Sequence, residues 1–92
     1  MLIEFDPSKS DTNARERGLP FERAADFVFD TAIVWQDRRL AYPEVRYVAL
    51  GYLDARLHVL CFTPVEGGIR VISVRKANTR EMKHYEQTQT PD

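Results

Sequence analysis

The chain has 92 residues, long enough for one hydrophobic core and short enough that only roughly 60–65% of its unfolded surface is buried. Hydrophobic residues at 43% and aromatics at 11% exclude wholesale disorder. A lone cysteine, two histidines and no apolar run of the roughly 18 residues that a span requires exclude a disulfide framework, a Cys/His metal cluster and a membrane helix.

The formal net charge of −1 conceals an asymmetry: residues 1–30 carry seven acids against four bases, and residues 38–83 carry nine bases against four acids. A nucleic acid is therefore a reasonable partner, with a merely solvated basic surface as the competing reading. The start, Met1-Leu2-Ile3-Glu4-Phe5-Asp6, has neither a basic n-region nor a long apolar h-region, so a cytoplasmic protein is expected.

Leu2–Phe5 is a short strand candidate, and Asp6-Pro7 starts a helix: Asp accepts from orphan N–H groups while Pro has the first helical φ already set. This polar helix is predicted over Pro7–Arg17 on the surface, with Gly18 just past its end. Pro20 opens a second helix over Phe21–Phe29, in which positions 21, 24, 25 and 28 form an apolar stripe expected to pack on a sheet. Asp30-Thr31 breaks it, and Ala32–Trp35 restarts as a strand.

Gln36–Pro43 reads as a polar loop and a mobile rim carrying Asp37, Arg38 and Arg39. Two strands, Glu44–Leu53 and Arg56–Pro64, form a hairpin over Asp54-Ala55; Arg46, Val48, Leu50 and Tyr52 share one face of the first. Val65–Gly68 is a turn whose paired glycines supply positive φ, and Ile69–Arg75 is a strand buried on both faces except where arginines project. Asn78-Thr79-Arg80-Glu81 resembles a capping box, opening a helix to about residue 86 or 87. The reading is one domain over residues 1–87 with a disordered tail over 88–92. Its fold class is α+β: an antiparallel meander with the N-terminal helices on one face and a short C-terminal helix.

No Gly-rich phosphate loop, HExxH or GxSxG is present, so no cofactor or metal is expected. The remaining candidates for chemistry are Arg46, Arg70, Arg75, Lys76, Arg80, Glu81, His84, Tyr85, His58 and Asp37. Such a set suits phosphodiester cleavage without a metal: arginines neutralise the charge at phosphorus, and Glu, Tyr or His moves the 2′-hydroxyl proton. Each has a plainer role. Glu81 at the third helical position caps its helix, Tyr85 packs, His58 lies in an apolar strand, His84 is helix surface, and Cys61 is a small core hydrophobe. Arg70 and Arg75, five positions apart, project from opposite faces of a regular strand.

Phe5-Asp6-Pro7-Ser8-Lys9 with Asn13 and Gly18, Pro20-Phe21-Glu22-Arg23-Ala24 with Phe29-Asp30, Arg46 with Gly51, and above all Ile69-Arg70-Val71-Ile72-Ser73-Val74-Arg75-Lys76-Ala77 with Arg80-Glu81 and Tyr85-Glu86 resemble the BrnT family, toxins of bacterial type II toxin-antitoxin pairs. The resemblance spans about residues 3–86. It implies a RelE-like fold and a ribonuclease that blocks translation. It also implies neutralisation by a cognate ribbon-helix-helix antitoxin in a hetero-oligomer that binds operator DNA through the antitoxin and represses its own operon. The family's active surface falls on Arg46, Arg70, Arg75, Arg80, Glu81 and Tyr85, with Arg38, Arg39, Lys76 and Lys83 as further RNA-binding residues. Two departures stand out: Glu16-Arg17-Gly18 replaces a frequent Lys-His-Gly, and Pro64-Val65 follows Phe62-Thr63 where many members carry Glu-Arg. A non-catalytic module acting only in antitoxin binding and operon repression is the rival reading.

Overall fold

The computed structural model describes residues 1–89. The order is β1 (Leu2–Glu4), α1 (Pro7–Arg17), a 3-10 helix (Phe21–Asp26), β2 (Val28–Gln36), β3 (Tyr47–Leu53), β4 (Arg56–Val65), β5 (Gly68–Lys76) and α2 (Thr79–Gln89). Residues 88 and 89 continue α2 rather than starting the expected tail, and the expectation for residues 90–92 lies outside the described residues.

The capping chemistry read from the sequence is present in α1. Asp6 accepts from the Ser8 N–H at 2.9 Å, Pro7 occupies the first turn, and Gly18 adopts a left-handed φ of 69° that returns its N–H to the Ala14 carbonyl. This helix has almost no apolar face, and polar side chains dock it instead. The buried Ser10 hydroxyl accepts from the Phe21 N–H at 2.8 Å, and Asn13 donates to the Leu19 and Val74 carbonyls at 2.7 and 2.9 Å.

The second predicted helix is shorter and of a different kind. A 3-10 helix repeats every three residues, so Phe21, Ala24 and then Phe27 share one buried line, whereas the α-type stripe also required Ala25 and Val28. Ala25 and Val28 are exposed, and Val28 already belongs to β2, which therefore begins before Ala32.

The sheet has five strands in the order β1-β5-β4-β3-β2. Strands β2 to β5 form the expected antiparallel meander, but β1 joins β5 in parallel, Leu2 opposite Gly68 and Glu4 opposite Arg70, so the sheet is mixed. Gly68 is required there by contact: a Cβ on it would lie 1.9 Å from the Leu2 carbonyl oxygen. Of the two turn glycines only Gly67 has the positive φ, 80°, that was expected of both.

A β-bulge in β5 decides where the arginines point. Phe62 pairs with Val71 and Cys61 with Ser73, leaving Ile72 as the extra residue. Ile69, Val71 and Val74 consequently share the core beneath α1 and the 3-10 helix, and Ser73 and Arg75 return to the face that Arg70 occupies. The expectation that Arg70 and Arg75 lie on opposite faces is thereby corrected.

Helices cover both faces, not one. On the first, Leu19, Phe21, Ala24 and Phe27 pack on Ala49, Leu53, Leu60 and Phe62. On the second, α2 places Tyr85 over Val48, Leu50, Leu57 and Val59. Because α2 covers only part of this second face, a cleft remains beside it.

Candidate active site

The cleft has a volume of about 620 Å³ and is lined by Trp35, Gln36, Asp37, Arg38, Arg39, Val48, Val59, Cys61, Ser73, Arg75 and Glu81. Inward residues of the three central strands make its floor, the end of β2 with the following loop makes one wall, and the first turn of α2 makes the other. Cys61, expected as a core hydrophobe, is only half buried on this floor.

Arg75 and Glu81 form the charged centre. The guanidinium donates in parallel to Glu81, Nη1 to Oε1 at 2.9 Å and Nη2 to Oε2 at 2.8 Å. Glu81 Oε1 also accepts from the Asn78 N–H at 2.9 Å, and Asn78 Oδ1 accepts from the Glu81 N–H at 2.8 Å, which completes the capping box. Cap and ion pair are thus the same carboxylate. The Arg75 hydrogen bonds, aided by the Asn78 N–H and opposed by burial, hold the Glu81 pKa below its ordinary value, and Glu81 in turn raises that of Arg75. Both stay charged across the neutral range, with Glu81 Oε2 accepting from Arg75 alone among the hydrogen bonds of the described residues.

The loop over residues 37–46 is internally tied at the rim of the cleft. Asp37 donates its N–H to the Arg46 carbonyl at 2.8 Å, closing the loop at its base. Its buried carboxylate accepts from Arg39 Nε at 2.9 Å, Arg39 Nη2 at 2.7 Å and the Tyr42 hydroxyl at 3.2 Å. The Arg39 side chain is the chief reason the Asp37 carboxyl lies far below the usual carboxylate range. Arg39 therefore organises the loop, whereas Arg38, bonded only to the Gln36 side chain at 2.9 Å, is the more available cation on the rim.

The other sequence candidates are dispersed. Arg46 precedes β3 rather than lying in it; it stacks over Tyr42 at 4.1 Å, pairs with Glu44 at 2.8 Å and lines a separate hollow of about 290 Å³ behind the loop. Arg70 pairs with Glu4 at 2.7 Å beside β1, roughly 13 Å along the sheet from Arg75, as the register against β4 counts it. Arg80 and Lys83 line an open hollow on α2 with His84, and Lys76 is exposed at the end of β5. His58 is buried, its Nδ1 2.8 Å from the Arg56 carbonyl, as its structural reading expects.

Tyr85 does not reach the arginines. It is 4% exposed, edge-on to Tyr52, and its hydroxyl donates to the Thr31 carbonyl at 2.8 Å. Residue 85 is one turn past Glu81, and the helix carries it under the sheet edge rather than into the cleft. Arg17 lies on α1, which packs on the face opposite the cleft.

Trp35, Gln36 and Ser73 line the cleft without having been singled out in the sequence. Trp35 reads there simply as the end of a strand, and Ser73 enters the cleft only because of the bulge. Among the described residues no group of three or more His, Cys, Asp and Glu side chains is placed to hold a metal ion, and no helix is long and apolar enough to cross a membrane.

In comparisons with known proteins, residues 5–81 match the family model described as ribonuclease toxin, BrnT, of type II toxin-antitoxin system. No curated protein and no solved structure matches the chain significantly.

Proposed function

Since this chain belongs to the BrnT family of ribonuclease toxins of type II toxin-antitoxin systems, we propose that its cleft cuts single-stranded RNA by 2′-hydroxyl attack without a metal ion. The observation that carries this reading is the Arg75–Glu81 pair inside one cleft, with Arg38 on its rim. A phosphodiester entering the cleft meets the Arg75 guanidinium, which neutralises the charge that grows on the phosphoryl oxygens as the 2′-oxygen attacks.

The phosphate also draws Arg75 from Glu81. Since Arg75 is what most depresses the Glu81 pKa, that exchange makes the carboxylate a better base, and its Oε2 accepts the 2′-hydroxyl proton. The 2′-oxygen bonds to phosphorus, the bond from phosphorus to the 5′-oxygen breaks, and the leaving oxygen takes a proton from water. The products are a 2′,3′-cyclic phosphate and a 5′-hydroxyl. Arg38, Arg80 and Lys83 hold flanking phosphates; Arg46, Arg70 and Lys76, outside the cleft, contact RNA only if the strand runs beyond it, and Arg39 contributes by fixing the loop.

A toxin of this family has an antitoxin partner. We extend the reading to a RelE-like arrangement of the α+β sheet, a cytoplasmic site of action, arrest of translation, and neutralisation by a ribbon-helix-helix antitoxin that carries the complex to its operator.

The test is cleavage of RNA by purified protein in EDTA, with and without ribosomes, with the 3′ ends of the products analysed. Arg75→Ala is expected to lower the rate by about 10²–10³-fold while antitoxin binding persists. Wild-type protein that cut no RNA and caused no growth arrest when expressed alone would overturn the reading in favour of a non-catalytic module.

A further inference from the structure

Trp35 is the only tryptophan in the chain, and it stands 43% exposed at the end of β2, opposite Val48. It lines the main cleft and also a second hollow of about 340 Å³, whose other walls are Leu50, Arg80, Glu81 and His84. Trp35 and Glu81 are shared by both cavities, so the indole stands where the two meet. The second hollow is divided between a mostly apolar body and a polar margin: Trp35 faces it with the fully buried Leu50 behind, and Arg80, Glu81 and His84 bring polar groups to its edge.

That division matches a nucleobase, which has an apolar π-face and a hydrogen-bonding edge. The phosphates on either side of such a base would meet Arg75 in the cleft and Arg80 on α2. We propose that Trp35 is a base-stacking platform, a positioning residue that seats one base of single-stranded RNA in this hollow and so fixes which phosphate reaches Arg75. The proposal rests on the ribonuclease reading and adds a specificity element to it. Stacking on an exposed aromatic tolerates any base; an edge contact with His84, the remaining polar side chain of the hollow, supplies the preference.

The lone indole reports directly on its own occupancy. Titration of the full-length protein with an uncleavable 2′-O-methyl RNA hexamer is expected to quench tryptophan fluorescence in parallel with binding followed by anisotropy of a labelled hexamer. Trp35→Ala should weaken that binding roughly 10-fold, Trp35→Phe should lose much less, and both should bind a hexamer with an abasic site at the seated position equally well. Thermal melts of the two variants establish that each is folded, and the quenching experiment needs no variant.

Binding without any change in fluorescence, or equal affinity of folded Trp35→Ala and wild type, would overturn the proposal. So would protection of the indole from acrylamide by bound antitoxin but not by RNA, which assigns the hollow to the partner. Cleavage of RNA without quenching sinks this inference alone; absence of both binding and cleavage sinks the ribonuclease reading with it.

Discussion

Glu81 serves two structural ends with one carboxylate, and substitutions separate them. Glu81→Gln keeps a side chain able to accept from the Asn78 N–H but loses the charge opposite Arg75, so the melting temperature should fall modestly while the cleavage rate falls by about 10²-fold or more. Asn78→Ala removes the side-chain acceptor for the Glu81 N–H and should cost about 1 kcal/mol in urea unfolding. Asp37 is the other residue whose ionisation is tied to the fold. Its folded pKa is depressed mainly by Arg39, so its contribution to stability is fully present above its unfolded pKa, near 4, and is lost as the pH falls through the lower folded value. The melting temperature of wild type should therefore exceed that of Asp37→Asn by a constant margin from neutral pH to about 5, and the margin should shrink below about pH 4.

At the scale of elements, the bulge at Ile72 and the Asp54-Ala55 turn show local geometry overriding simple pattern. A regular strand would have sent Arg75 into the core beneath α1; one inserted residue turns it into the cleft. The turn joining β3 and β4 places both of its central residues at positive φ, 53° at Asp54 and 60° at Ala55. Alanine is disfavoured there, so Ala55→Gly should stabilise the protein by roughly 0.5–1 kcal/mol, read as a higher urea midpoint without a change in slope. Activity should be unaffected, because this turn lies outside the residues lining the cleft.

Across the whole molecule, the division of charge along the chain does not become a division between faces. α1 and the 3-10 helix on one side of the sheet carry four acids (Asp11, Glu16, Glu22, Asp26) against four bases (Lys9, Arg15, Arg17, Arg23), so the acidic excess of the N-terminal third lies outside them in Glu4, Asp6 and Asp30, while Arg38 and Arg75 line the cleft on the other side. RNA binding through about three phosphate contacts should give a slope of log affinity against log salt of about −2. Arg38→Ala or Arg80→Ala should flatten it by about 0.7 each, measured with the 2′-O-methyl hexamer.

The sequence by itself determined the caps of α1 and α2, the meander of β2 to β5, the family, and the candidacy of Arg75 and Glu81. These follow from side chains acting on nearby backbone, from alternation along a strand and from a recurring pattern. Tertiary structure alone decided the parallel docking of β1, the 3-10 geometry after Pro20, the burial of Tyr85 and the place of Trp35 in the cleft. Each of those depends on which distant strand or helix packs alongside. A three-residue and a four-residue helical repeat look alike over six positions, and a bulge is visible only in the register of two paired strands.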